Sequence, residues 1–264
     1  MPRGFNDYDT ARLQGRLWTP AVLRPTVWLD AADISTISIA TGVSEWRDKS
    51  NNGWNVVQAT AGNQPAYTPL GLNGLSVVNF SVGKLLQTAS NFTLTGDPNI
   101  TAIVAYRKTT NTEGAVFGWG GPTLSSPGSA FGYYDDGTNA SWASAGGASY
   151  SHQTPIPQNN EWGIASFVKP AGAFTNSTSF RNGATFSVST GANAPNILSQ
   201  PLSVGRWADY VFNRFAGDVA ELLVFSSAFA SRDRWGIEGY LSWKWGIPLA
   251  ASHPYANRPP LIGD

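Results

Sequence analysis

The chain of 264 residues has no cysteine, one methionine and two histidines, and only 13% of its residues are charged. Without thiols there can be no disulfide framework, no cysteine nucleophile and no cysteine-ligated zinc or iron–sulfur centre. Seventeen basic side chains balance seventeen acidic ones, so no bulk field draws the chain to nucleic-acid phosphates or anionic lipid. No apolar run approaches the ~18 residues of a membrane span, and the opening MPRGFNDYDTARLQGRLWTP holds no stretch of signal-peptide length. The expectation is a protein with neither nucleic acid nor membrane as partner, synthesised in the cytoplasm without a signal peptide. Phosphate-cradling G-x-x-x-x-G-K and G-x-G-x-x-G patterns, the zinc pattern H-E-x-x-H and the nucleophile elbow G-x-S-x-G are also absent.

What is present is the material of a β protein. Apolar residues make up 42% of the chain, with 11 Trp, 13 Phe and 9 Tyr for a core, and 28 Gly and 17 Pro accompany abundant Ser, Thr and Asn. Those residues favour turns and caps over helix interiors. Short β-branched and aromatic runs alternate with turn clusters: TVWLD (26–30), LSVVNF (75–80), ITAIVAYR (100–107), AVFGW (115–119), WGIASFVK (162–169), TSFRNGATFSV (178–188) and FAGDVAELLVF (215–225). Such spacing predicts a sandwich or barrel. ITAIVAY is apolar at nearly every position, as a strand covered on both faces requires. Asn-Gly at 73–74 and 182–183 and Asp-Gly at 136–137 suit tight turns, and the Asn182 turn predicts a hairpin over 178–188.

Near the C-terminus the period changes. Ile237, Tyr240, Leu241 and Trp245 fall at helical spacing, Ser231 can cap the first turn, and Gly246 and Pro248 end the pattern. One amphipathic helix over 231–245 is expected, followed by an extended tail. Residues 1–25 read as an extended N-terminal arm ending in the Pro20 to Pro25 stretch, and 26–264 as one domain.

WLDAADIST (28–36), VSEWRDKSNNGWNVVQAT (43–60), LNGLSVVNF (72–80), FAGDVAELLVFSSAF (215–229), IEGYLSWKWGIP (237–248) and ASHPYANRPP (251–260) together resemble the concanavalin A-like lectin/glucanase (laminin-G-like) domain, in the variety that recurs in bacteriophage virion proteins. The resemblance is thin between about 108 and 200. It implies an all-β fold, a jelly-roll β-sandwich of two antiparallel sheets, usually non-catalytic, often glycan-binding and sometimes calcium-binding. The resulting expectation is a virion-surface structural protein, a capsid decoration or a tail- or fibre-associated component. Residues 1–25 would dock it onto other virion proteins, and it would form a homo-oligomer. The alternatives are a stand-alone bacterial lectin module and a polysaccharide-degrading glycoside hydrolase.

Glucanases of this fold place carboxylates on same-face positions of one strand, because one protonates the leaving oxygen while another attacks or activates water. No E-x-D-x-x-E array exists: Glu45, Glu113, Glu161, Glu221 and Glu238 each lack an Asp two residues on. Glu221 follows Asp218 by three positions, which on a regular strand puts the pair on opposite faces. Glu221 therefore reads as a structural carboxylate, bonded to backbone or an Arg, and no catalytic residue is assigned. His152 and His253 read as polar or packing residues.

Glycan recognition needs flat aromatic faces beside amides or charges. The candidates are Trp119, Tyr133, Tyr134, Asp135 and Trp142 in the Gly/Ser-rich stretch, and Arg206, Trp207 and Asn213 in RWADYVFNR. No cofactor is required. For calcium, oxygen ligands gather at Asp48, Asn51 and Asn55 and at Asp135 and Asp136, although neither group has EF-hand spacing and an Asx turn explains each equally well.

Overall fold

The structure, a computed structural model, describes residues 17–110, 113–121, 128–135, 139–144, 150–155, 160–186, 188–189, 191–207 and 215–264. In chain order the strands are β1 (Val27–Asp30), β2 (Ile37–Ile39), β3 (Val43–Trp46), β4 (Val56–Val57), β5 (Ala66–Leu72), β6 (Leu75–Phe80), β7 (Leu86–Thr88), β8 (Ile100–Lys108) and β9 (Gly114–Gly120). They continue with β10 (Ala130–Asp135), β11 (Asn139–Ser144), β12 (Tyr150–Pro155), β13 (Trp162–Lys169), β14 (Thr178–Arg181), β15 (Ala184–Phe186), β16 (Val188–Ser189), β17 (Ser203–Val204) and β18 (Gly217–Phe225), and helix α1 (Ser231–Trp245) follows.

These strands form two antiparallel sheets packed face to face, the expected sandwich. One sheet runs β15-β14-β13-β8-β18-β6-β5, with β1 paired to β18, and the other runs β16-β12-β11-β10-β9-β17-β7-β4-β3-β2. The core between them is aromatic. Phe131, Trp142 and Phe167 stack across it, Trp142 and Phe167 at 5.3 Å and 13°. Tyr106 and Tyr133 share a hydroxyl hydrogen bond of 2.8 Å. The apolar run at β8 is explained by its position: Tyr106 points into this core, and α1 packs against the other face of β8 and β13.

The helix occupies 231–245 as expected, and the apolar set Ile237, Tyr240, Leu241 and Trp245 is buried. Arg234, Glu238 and Lys244 are buried as well, so eleven of its fifteen residues are enclosed. Each buried charge has a counter-ion, as burial demands. Arg234 pairs with Glu238 at 2.5 Å, and Glu238 accepts from His253 Nε2 at 3.1 Å. The N-cap is Ala230 and makes no side-chain bond, so Ser231 sits one position too late to cap. Gly246 closes the helix at φ 68°, the left-handed conformation that glycine adopts without a Cβ penalty.

Asn182 and Gly183, at φ 48° and 79°, turn β14 into β15 as the sequence predicts. His253 is buried beside this hairpin, where Ala250 N–H donates to Asn182 O. Its Nδ1 accepts from Tyr255 N–H, so it is a packing residue. Residues 17–25 are not extended: Pro20–Leu23 forms a 3-10 turn with Pro20 at the start, where its missing N–H costs nothing. Leu17 bridges Leu261, and Trp18 N–H donates to Pro260 O. The rest of the predicted arm, 1–16, and the Asp136-Gly137 turn lie outside the described residues.

Candidate functional site

Strand alternation sorts the predicted aromatics. Trp119 and Trp142 are fully buried and Tyr133 is 1% exposed, all three within the core between the sheets. Trp119 packs on Phe92 and spends its indole N–H on Leu94 O at 2.8 Å. Contrary to expectation, these three offer no ring face to a sugar. Their phase explains why: Phe117 and Trp119 on β9, and Phe131 and Tyr133 on β10, are two apart and point inward together.

Tyr134, one residue on, points the other way. It is half-buried on the outer face of the ten-stranded sheet, its hydroxyl donating to the Glu113 carboxylate, and its ring lies 6.0 Å from Trp207. Trp207 packs on Ala115 and Ala130 and is 6% exposed, so it serves as a floor and not as an open platform. Gly118 makes the room, because a Cβ there would come within 2.8 Å of Trp207 Cδ1. The side chain of Asp135, and Asp136 and Asn213, lie outside the described residues.

The register shows why this face is low. Ser38, Glu45, Val57, Gln87, Ser203, Gly118 and Gly132 are successive cross-strand partners, and they share the outer face. From Ser203 to Gly132 every member is small. Beside this row lies a groove of about 360 Å³ lined by Gln58, Asn63, Gln87, Thr88, Arg206 and apolar neighbours. Gln58 is anchored, donating to Leu85 O and accepting from Thr60 N–H. Two polar atoms at the row, Ser203 Oγ and Trp207 Nε1, are buried without a hydrogen-bond partner. The sequence reading included Arg206 and missed Gln87, Asn63 and Ser203. Gln87 sits between Leu86 and Thr88, both buried, and that alternation was its only signal.

The candidate calcium loop closes on itself. Asp48 Oδ1 accepts from Trp28 N–H at 2.8 Å and Ser50 N–H at 2.9 Å, and Oδ2 accepts from Ser50 Oγ at 2.6 Å and Trp54 N–H at 3.1 Å. Asn55 Oδ1 accepts from Asp48 N–H, its amide donates to Glu45, and Asn51 holds a left-handed φ of 67°. These are the bonds of an Asx turn, and they occupy both Asp48 oxygens. Among the described residues no group of three or more His, Cys, Asp or Glu gathers to hold a metal ion.

A second cleft, about 530 Å³, opens beside α1 and is lined by Trp28, Asp30, Asp33, Lys49, Tyr240 and Lys244 among others. Its inner wall is ionic. Glu221 Oε1 accepts from Trp28 Nε1 at 2.7 Å and Tyr240 OH at 3.0 Å, and Oε2 accepts from Lys244 and Trp245 Nε1, both at 2.7 Å. The partners are thus side chains of β1 and α1, where a backbone group or an arginine was expected. Lys244 also meets Asp30 at 2.6 Å, and Lys49 bridges Asp30 and Asp33 at 2.8 and 2.9 Å.

Burial and the neighbouring Asp30 charge push Glu221 above the usual carboxylate range. Burial also works against ionised Asp30, but the Lys244 and Lys49 ammoniums outweigh it and hold its pKa down. Lys244 resists desolvation in the same way, its pKa raised by Glu221 and Asp30.

One expectation about this wall is overturned. A β-bulge between Val219 and Glu221 sets Asp218 opposite Arg107 and Glu221 opposite Ala105, so the two acids share the outer, helix-side face of their sheet. Each is nevertheless committed elsewhere. Asp218 takes both Arg107 Nε at 2.8 Å and Nη2 at 2.6 Å, together with the Asn79 amide.

The fold is found in solved structures at low sequence identity. Domain 4 of AbnA, a GH43 extracellular arabinanase from Geobacillus stearothermophilus solved with arabinotriose, superposes with TM-score 0.53 at 14% identity, over 79% of this chain and 95% of that domain. The ligand binding domain of botulinum neurotoxin serotype D, in complex with N-acetylneuraminic acid, gives 0.52 at 10% identity, over 82% of this chain and 51% of that one. Trypanosoma rangeli sialidase gives 0.52 at 13% identity, and the match spans 80% of this chain but only 32% of the enzyme. No protein-family model and no curated protein sequence matches the chain. What these likenesses show is the fold, a β-sandwich of two antiparallel sheets.

Proposed function

We propose that the chain is a non-catalytic carbohydrate-binding β-sandwich module that holds its ligand along the outer face of the ten-stranded sheet. The observation that carries this reading is the groove lined by Asn63, Gln87 and Arg206, beside a row of small residues on a face that also carries Tyr134. Amides and a guanidinium suit sugar hydroxyls, and a shallow trough suits a chain of rings. The arabinotriose and N-acetylneuraminic acid complexes of two proteins of similar fold support it. The commitment of Asp218 and Glu221 to fixed cationic and indole partners supports the non-catalytic part.

A glycan array probed with the full chain, with and without calcium, tests the reading. Saccharide binding that weakens at least tenfold in Arg206→Ala and Gln87→Ala is expected. An empty array, or binding indifferent to both substitutions, overturns it, and loss of binding on calcium removal would give the ion a role.

The resemblance of 28–60 and 215–260 supports a setting on a bacteriophage particle, as a decoration or tail-associated protein attached through residues 1–25. Mass spectrometry of purified particles should then find the chain in stoichiometric copy number. Its absence there would favour a bacterial module acting alone.

A further inference from the structure

Three charged side chains meet in the interior where β1, β18 and α1 converge. Asp30 ends β1 directly opposite Glu221 of β18, and Lys244 reaches both from the last turn of α1. Lys244 Nζ lies 2.6 Å from Asp30 Oδ1 and 2.7 Å from Glu221 Oε2, so two carboxyl oxygens flank one nitrogen. Asp30 is 3% exposed, Glu221 0% and Lys244 7%. Their remaining polar atoms are held by fixed donors: Trp28, Tyr240 and Trp245 on Glu221, Ala32 N–H at 3.1 Å on Asp30 Oδ1, and Lys49 at 2.8 Å on Asp30 Oδ2. An amine held against a carboxyl group, with a second carboxyl group beside both and little water, is the set of groups that amide condensation requires.

We propose that Lys244 and Asp30 are joined by an isopeptide bond, formed inside the folded chain with Glu221 as proton relay. The Lys244 ammonium gives one proton across the 2.6 Å contact to Asp30 Oδ1, leaving a neutral amine facing a neutral carboxylic acid. The ion pair is the resting form, and this one proton transfer makes the reactive one. The Nζ lone pair attacks Asp30 Cγ, and the Glu221 carboxylate takes the proton that the nitrogen sheds. Negative charge then sits on Oδ2, facing the Lys49 ammonium. Glu221 returns its proton to the Oδ1 hydroxyl, which leaves as water, and the carbonyl re-forms at Oδ2. The balance is one ammonium and one carboxylate in, one amide and one water out, with Glu221 unchanged. The water has an exit, since Asp30 and Lys244 both line the cleft beside α1.

Lys49 is the poorer candidate, because it is 24% exposed and its partners are Asp30 and Asp33 and not the Glu221 relay. Tyr240 donates its hydroxyl to Glu221 and accepts from Lys244 Nζ at 3.1 Å, and Asp33 pairs with Lys49. A chain without cysteine would gain here a covalent tie between the first strand of its sandwich and its C-terminal helix.

Intact-mass spectrometry of the full chain, denatured after purification, reads the bond directly. The expected mass is lower than the sequence mass by one water, with Asp30 and Lys244 recovered in one branched peptide after digestion. Asp30→Asn should lose one ammonia instead, because the amide nitrogen replaces the leaving oxygen. Lys244→Arg and Glu221→Gln should keep their full masses. The proposal is overturned by a wild-type chain of full mass, folded by circular dichroism and held for days at neutral pH, with Asp30 and Lys244 in separate peptides. A link through Lys49 would overturn the assignment to Lys244, and dehydration of Glu221→Gln would overturn the relay.

Discussion

The two faces of this sandwich handle polar groups in opposite ways. Under α1, every oxygen of Asp30 and Glu221 is matched to a lysine, an indole, a phenol or a backbone N–H. On the outer face of the ten-stranded sheet, Ser203 Oγ and Trp207 Nε1 are buried without partners, beside a groove of amides and a guanidinium. An unsatisfied buried group costs about 1–3 kcal/mol. The helix side has such atoms too, Glu238 Oε1 and Ser166 Oγ, but the oxygens of its Asp30–Glu221–Lys244 centre are all matched. The more ionic cleft is the one whose Asp30 and Glu221 oxygens are all occupied.

Substitutions can break this contrast. The largest effect is expected at Lys244→Met, which strands Asp30 and Glu221 without their shared cation and should cost about 3–5 kcal/mol in urea unfolding, with glycan binding of the surviving folded fraction unchanged. Trp142→Ala should cost a similar 3–5 kcal/mol through a core cavity, again without a change in ligand preference. On the other face, Gly118→Val drives its Cβ into Trp207, and about 1–3 kcal/mol of destabilisation together with loss of array binding is expected. The smallest stability change belongs to the half-buried Arg206→Ala, about 1 kcal/mol or less, while its binding loss is tenfold or more. If Trp142→Ala abolished binding in folded protein, or Arg206→Ala unfolded the chain, the division between faces would fail.

Acid and alkali sharpen the comparison further. In a chain whose Lys244 and Asp30 are not yet joined, Lys244 and Lys49 have folded pKa values above the unfolded one, so the stability they contribute is present below about pH 10 and is lost as pH rises beyond it. Asp30 is depressed, so its contribution is present above about pH 4 and is lost as pH falls, while the raised Glu221 acts in the opposite sense there. Alkaline unfolding is therefore the cleaner readout, followed by circular dichroism. Glu221→Gln removes one of the two anions that raise Lys244, so its alkaline limit should fall below that of Lys244→Arg.

Much of the frame was legible in the sequence. LSVVNF and WGIASFVK coincide with β6 and β13 to the residue, α1 spans 231–245, and the Asn182 hairpin forms but closes at Phe186, with Val188–Ser189 pairing to β12 in the other sheet. Strands such as Val56–Val57, Leu86–Thr88 and Ser203–Val204 were missed because two or three residues carry no periodicity, and their pairing is set by neighbours distant in sequence. The site was less legible. Trp119, Tyr133 and Trp142 were placed by composition, although the period of two separating Tyr133 from Tyr134 already divides core from surface. The bulge that turns Asp218 and Glu221 to one face leaves no mark on spacing. The ionic centre had a signal that was read only at Glu221: Asp30, Glu221 and Lys244 each stand inside an otherwise apolar run, where a charge needs a counter-charge.

The single bridge between Leu17 and Leu261 bears on how the molecule answers force. A tether pulling at 17 and 261 would peel that contact one hydrogen bond at a time and at small load, because nothing there is sheared. Traction would then pass to β1 and the end of α1, where Asp30 and Lys244 sit. Everything strung between those two residues, including the groove, would stay slack until that clasp gave way.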